Sequence, residues 1–170
     1  MILKGAFEEV NNYQAKQISG ALYGMSELYI SSQLRVIFGL RGEQINMYYS
    51  GAGYVEGSLR RFDNDETLNK FNILPSMNLV YHLSDNMNLR ASYNRTLARP
   101  SFKEKSFANI EDPISGRTFI GNINLKQTDI DNYDLRYEYF FESGELFAIS
   151  GFYKQFTNHI ELVSYSTDPN

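Results

Sequence analysis

Pro75-Ser76-Met77-Asn78-Leu79-Val80-Tyr81-His82-Leu83, then Ser84-Asp85-Asn86, then Met87-Asn88-Leu89-Arg90-Ala91-Ser92-Tyr93-Asn94: this stretch decides the fold. On both sides of the Ser-Asp-Asn break the odd positions are mostly apolar or aromatic and most even ones are polar, which is the two-residue period of a strand. A side chain keeps its face across an antiparallel pair only if the paired residue numbers sum to an even value, so the connecting loop holds an odd number of residues. Three-residue hairpin loops end in a left-handed residue, a place suited to Gly or Asn. Asn86 stands there, so the spacing predicts Leu83 opposite Met87, Tyr81 opposite Leu89 and Leu79 opposite Ala91.

The same period extends in both directions. Leu34, Val36, Phe38 and Leu40 alternate with Arg35, Ile37, Gly39 and Arg41, and Tyr133, Leu135, Tyr137 and Tyr139 alternate with Asp134, Arg136, Glu138 and Phe140. Glu142-Ser143-Gly144 repeats the three-residue loop, so Phe141 opposes Glu145 and Tyr139 opposes Phe147. That parity puts Phe147, Ile149, Gly151 and Tyr153 on the face of Tyr139, Tyr137, Leu135 and Tyr133. With a strand-like segment near Ile18–Ile30, the chain reads as about six strands of about 9–14 residues, against about 5–6 in soluble domains. A tilted strand that crosses a membrane needs about 9–11. Short breaks near Ser31–Gln33, Ser84–Asn86 and Glu142–Gly144 alternate with long polar stretches, roughly Ser50–Phe71 and Leu97–Thr128. Short turns at one end and long loops at the other are the asymmetry of bacterial outer-membrane barrels.

Composition excludes several classes. The formal net charge of −4 gives no basic footprint for nucleic acid. With no cysteine, thiolate metal sites, disulfides and cysteine nucleophiles are absent together. No run approaches the roughly 18 apolar residues of a membrane helix. A mean hydropathy of −0.40 does not argue against a membrane barrel, where every second strand residue faces away from lipid. Tyr 13 and Phe 12, together 15% of the chain, suit the aromatic girdles of such a barrel. The alternate face carries Arg35, Arg41, Glu43, Asn78, His82, Asn88, Arg90, Asn94, Asn132, Asp134, Arg136 and Glu138. Unpaired buried charges cost several kcal/mol each, so this face meets water or polar protein, and no amphipathic helix exists to cover it. The fold class is therefore all-β: a fragment of an antiparallel transmembrane β-barrel, about six long meander strands with short periplasmic turns and long extracellular loops. Met1–Gly20 lacks the basic and continuous apolar regions of a signal peptide and Ser164–Asn170 is a polar loop, so both ends read as internal to a longer chain.

Four stretches carry a family resemblance. Leu74-Pro75-Ser76-Met77-Asn78-Leu79 followed by Met87-Asn88-Leu89-Arg90-Ala91-Ser92-Tyr93-Asn94-Arg95-Thr96-Leu97-Ala98-Arg99-Pro100 resembles a hairpin of TonB-dependent receptors, particularly those of Bacteroidetes. Gly121-Asn122-Ile123-Asn124-Leu125-Lys126 is similar to that family's segment before a strand, with Ile123 where many relatives have proline. Asn132-Tyr133-Asp134-Leu135-Arg136-Tyr137-Glu138-Tyr139 and Phe152-Tyr153-Lys154 resemble two of its strands. The resemblance implies a large barrel with an N-terminal plug, driven by the inner-membrane TonB system and importing siderophores, cobalamin, glycans or peptides. On that footing residues 1–170 are the C-terminal portion of such a barrel, in the bacterial outer membrane, with plug and closing strands outside the sequence. The expected partners are outer-membrane lipid, the plug, the TonB system and an unidentified nutrient. The alternative is a passive or structural barrel, porin-like or OmpA-like; a barrel enzyme is the third class.

For chemistry the chain offers little. His82, Ser92 and Asp85 supply the residue types of a hydrolase triad without its geometry, and His159 lies on a different segment. Asp63-Asn64-Asp65-Glu66 offers oxygens for Ca²⁺ but lacks the Gly and distal Glu of a calcium loop. Asp129 and Asp131 are opposite in parity to Asp134, which separates them as metal ligands. No catalytic residue, metal or cofactor is expected. The ligand-binding candidates are Arg99, Phe102, Phe107, Arg117, Phe119 and Asn122, in and beside the long loop Ser101–Lys126, because aromatic and polar groups on loops over a rigid scaffold clasp solutes. Asn78, His82, Arg90, Asn94, Asp134, Arg136 and Glu138 are expected to face the lumen or plug.

Overall fold

The alternation becomes one antiparallel sheet. In the computed structural model, which describes residues 12–55, 57–107, 110–112, 114 and 117–164, the strands are β1 (Tyr13–Tyr29), β2 (Leu34–Val55), β3 (Ser58–Ser84), β4 (Met87–Ala98), β5 (Ile110–Asp112), β6 (Arg117–Phe119), β7 (Thr128–Phe140) and β8 (Leu146–Thr157). A six-stranded sheet runs in the order β1-β2-β3-β4-β7-β8, and β5 and β6 form a small two-stranded sheet inside the connection from β4 to β7. The large sheet is open, with β1 and β8 as its edges.

The register follows the parity argument, with one local difference. Tyr81 pairs with Leu89, Leu79 with Ala91 and Tyr139 with Phe147. Gly144 takes the left-handed conformation at φ 91, as its place in the loop demands. Asn86 does not: the β3–β4 connection is a two-residue turn in which Met87 pairs with Ser84 rather than with Leu83. A bulge between His82 and Ser84 then restores the expected pairing. A bulge inserts one unpaired residue, so turn plus bulge counts the same as the three-residue loop, and every face beyond it is unchanged.

The larger difference lies in residues 50–71, which read as a loop. There β2 and β3 continue their ladder to Val55 and Ser58 and turn at Gly57, φ 78. They reach 22 and 27 residues, whereas β4, β7 and β8 have 12, 13 and 12. At about 3.3 Å per residue β2 is roughly 70 Å long, far beyond the need of one membrane crossing. Two register shifts interrupt the extension, one at Thr67 and one at Asp63–Asn64, where Asn64 has φ 57 and its N–H donates to Ser50 Oγ at 2.8 Å.

The two faces are dressed opposite to those of a soluble sheet. On one face Leu22 is 83% exposed, Phe71 61%, Ile73 57%, Leu135 54% and Ile149 62%. On the other, Glu43, Asn72 and Glu138 are only 5–7% exposed. Cross-strand pairing makes each face continuous, as in the row Val36, Leu79, Ala91, Leu135, Gly151. Two parts depart from this pattern. Beyond Glu43 the β2–β3 ladder carries buried Ile45 and Met47 on the polar face and Gln44, Asn46 and Asn69 on the other. At the edges Tyr23, Met25 and Tyr29 on β1 and Phe152 and Phe156 on β8 lie exposed on the polar face.

Candidate lumen-facing site

The polar face is a set of hydrogen-bonded rows. In β3, β4 and β7 the register puts Asn78, His82, Arg90, Asn94, Asp134, Arg136 and Glu138 on this one face. Glu138 receives Arg90 Nε and Arg136 Nε at 2.8 Å each, one on either oxygen. Two charge-assisted bonds are what let a carboxylate remain so little exposed. Asn88 Oδ1 lies 2.7 Å from His82 Nδ1, Ser92 Oγ donates to Asp134 at 3.1 Å, and the Asn132 amide bonds Asn94 and Thr96.

Higher on the same face, the connection between β4 and β7 folds down onto β2 and β3. Arg99, just past the end of β4, pairs with Glu43, which also takes Arg41 at 2.6 Å. Ser101-Phe102-Lys103-Glu104 forms one turn: Ser101 N–H and Oγ donate to the Glu104 carboxylate at 2.7 and 2.9 Å, and Glu104 N–H returns to Ser101 Oγ at 3.2 Å, a reciprocal capping arrangement. Gly121 passes so close to this turn that a Cβ would stand 2.4–2.6 Å from the carbonyl oxygens of Lys103, Glu104 and Ser106, so only glycine fits. Phe107 stacks on Phe62 at 5.3 Å, meets Tyr49 edge-on at 6.4 Å and occupies the space above Gly53.

Lys105 is buried, and its ammonium donates to the carbonyls of Thr67 at 3.0 Å and Leu125 at 2.7 Å. Thr67 is the bulge residue of β3, where the ladder is interrupted. Burial holds the Lys105 pKa below its ordinary value, because desolvation penalises the charged form. Gln127 completes the dock, bonding Asn72 at 2.7 Å and Asp129 at 2.8 Å, while Lys70 also reaches Asp129 at 2.7 Å.

The structure gives the six ligand candidates different positions. Arg99 and Phe107 are tied to the wall as described. Phe119 lies under the Lys103 ammonium, 4.5 Å from the ring centre, and the Asn122 backbone and side chain bond Glu104 and Asn124 within the loop. Phe102 is half-buried in the turn. The backbone of Arg117 pairs with Asp112, and its side chain lies outside the described residues. Lys105 and Gln127 were missed because nothing local marks a residue that will be buried by a wall so far away in sequence; the Ser-x-x-Glu spacing of Ser101 and Glu104 was readable.

Of the residue types a triad needs, Ser92 and His82 stay apart. Ser92 pairs with Asn78, four positions from His82 along β3, or roughly 13 Å. The aspartates separate likewise: Asp131 takes Arg95 and Tyr93, Asp134 takes Ser92, and Asp129 takes Lys70 and Gln127. In the Asp63–Glu66 stretch, the Glu66 carboxylate is bonded by Asn46 and Asn69.

A sheet that exposes its apolar side chains on one face and joins its charges in rows on the other has the build of a membrane β-barrel wall. The chain belongs to the TonB-dependent receptor-like β-barrel family, whose family model matches residues 4–170. Among solved structures the alcaligin outer membrane receptor FauA of Bordetella pertussis is similar in fold, with a TM-score of 0.54 and 18% identity over 91% of this chain. The match spans 23% of that receptor's length. No curated protein matches the chain.

Proposed function

We propose that residues 1–170 are a portion of the barrel wall of an outer-membrane receptor that imports a scarce nutrient, such as a siderophore, glycan or peptide, with energy supplied through TonB. The observation that carries this is the inverted dressing of the sheet in a chain of this family: apolar residues such as Leu135 exposed, and Glu43 and Glu138 buried among arginines. The apolar face meets lipid, the polar face meets the lumen and a plug, and the loop 101–126 lies outside the cell above the lumen.

The test is uptake of the cognate nutrient by cells carrying the full-length receptor, with and without an uncoupler and with loop 101–126 shortened. Uptake should require the proton-motive force and fall when the loop is shortened, while assembly in the membrane is unaffected. Uptake that persists in uncoupled cells makes the barrel a passive pore. Placement in the membrane is tested separately: Leu79→Arg should impair insertion by about 2–4 kcal/mol near the bilayer midplane, and Asn78→Arg far less. Equal damage from both removes the lipid-facing assignment.

A further inference from the structure

We infer that the polar face holds an anion clamp, built by Arg90 and Arg136, for a carboxylate-bearing solute; it names a substrate class for the proposed importer and rests on that reading. The register places Tyr29, Arg35, Val80, Arg90, Arg136 and Ser150 in one cross-strand row, so three of its six side chains are guanidiniums, on strands spaced about 4.8 Å apart. Glu138 engages Arg90 and Arg136 only through their Nε atoms. Among the described residues the Arg90 terminal amino groups carry no hydrogen bond, and those of Arg136 carry one, to Ser150 Oγ at 3.3 Å. Both arginine side chains are more than two-fifths exposed. Glu138 offsets one of these charges and Asp134, in the same cleft, the other, so what the pair presents is its unpaired planar N–H forks, whose geometry matches a carboxylate or phosphate.

These forks border a cleft of about 320 Å³ that Arg35, Asn78, Ser92 and Asp134 also line. Arg35 is paired with Glu27, yet its Nε is buried without a partner. Asp134 sits two positions from Arg136 on the same strand, about 6–7 Å away. It uses one oxygen for Ser92 Oγ, and its other oxygen, exposed in the cleft, is open to a donor on the ligand. A ligand that satisfies the cleft has an anionic group at one end and a hydroxyl or ammonium one step further along. This describes a small hydroxylated or amino-substituted organic acid, and it disfavours both a bare anion and a neutral sugar.

The test is equilibrium binding to the purified full-length receptor, using gluconate as probe and sorbitol as its uncharged counterpart. Gluconate should bind, more weakly at raised salt, and sorbitol should not. Arg90→Gln with Arg136→Gln should weaken gluconate binding by about tenfold or more, the effect of losing hydrogen bonds to a charged group. Should that pair of changes prevent folding, Arg90→Gln alone decides, because Glu138 keeps Arg136. Absent gluconate binding by the folded receptor, equal affinity without the arginines, or equal binding of sorbitol overturns the clamp. The import reading is scored on uptake of the cognate nutrient with an uncoupler, a measurement that does not use gluconate, so either idea can fail while the other stands.

Discussion

Residues 50–71 and 97–128 are both long polar connections in the sequence, yet they solve the same backbone problem differently. The first satisfies its N–H and C=O groups within a ladder, turns at Gly57 and absorbs its irregularities as two bulges in β3. Among the described residues the second pairs three residues with three, in β5 and β6, adds isolated turn bonds such as Lys105 N–H to Ser101 O, and is otherwise held by side chains that reach β2 and β3. The contrast teaches that one connection is scaffold and the other is seated on it. The bulge at Thr67 interrupts the ladder, and the loop's Lys105 bonds the carbonyl there. Changes in the loop should therefore unseat it without harming the hairpin, and the same mutation type should act differently in each region.

The largest expected effect comes from Gly121→Ala. Its Cβ would overlap three backbone carbonyls, which no side-chain rotation relieves, so the loop should detach from its turn at a cost of about 3 kcal/mol or more. Cleavage within the loop by a nonspecific protease should accelerate while the β2–β3 hairpin keeps its hydrogen-exchange protection. Simultaneous loss of both would show that hairpin and loop fold as one unit.

Phe107→Ala comes next. It removes the ring that joins the loop to Phe62 and Tyr49, and because Phe107 is only half-buried its expected cost is about 2 kcal/mol, below that of a fully buried phenylalanine. Protease sensitivity of the loop should rise less than with Gly121→Ala. A null result would leave the polar contacts as the whole of the dock.

Gly57→Ala is the counterpart in the hairpin. Open space surrounds Gly57, so the cost is conformational alone, about 1–2 kcal/mol for a left-handed alanine. Exchange should quicken at the tip and nowhere in the loop. A loop that loosens with the tip would mean that the seat depends on the outermost turn.

How far these regions were legible depends on the range of the interactions. The faces of the strands from Leu34 to Tyr153, and the registers across the two short turns, follow from alternation and loop parity because both are local, and even the misjudged turn at Asn86 left them intact through its bulge. Gly144 was readable because one φ value selects it. The extension of β2 and β3 was not, since Tyr48, Tyr49, Tyr54 and Phe62 are scattered among polar residues without a clean period. Arg99 read as either a rim anchor or a ligand group because its partner Glu43 lies 56 residues away, and Lys105 is 38 residues from Thr67. Contacts of that range carry no periodic signal along the chain.

The smallest expected effect concerns that lysine and pH. In the seated loop the Lys105 pKa is lowered by burial; in the detached loop it returns to its ordinary value. Between the two, the detached state binds more protons, so stability of the seated state rises with pH through this window and is lower and constant beneath it. The opposite sign would follow if bonds to Thr67 and Leu125 outweighed desolvation. Cleavage of the loop by proteinase K, in the detergent-solubilised full-length receptor, measures the seated fraction. Lys105→Met supplies the reference, since it has no charge to titrate and cancels the protease's own pH response. The ratio of wild-type to variant cleavage should fall as pH rises toward the ordinary lysine value. A flat ratio would mean that burial does not penalise the ammonium. A rising ratio would mean that the charge itself holds the loop to the bulge, making Lys105 the fastener and Phe107 the secondary contact.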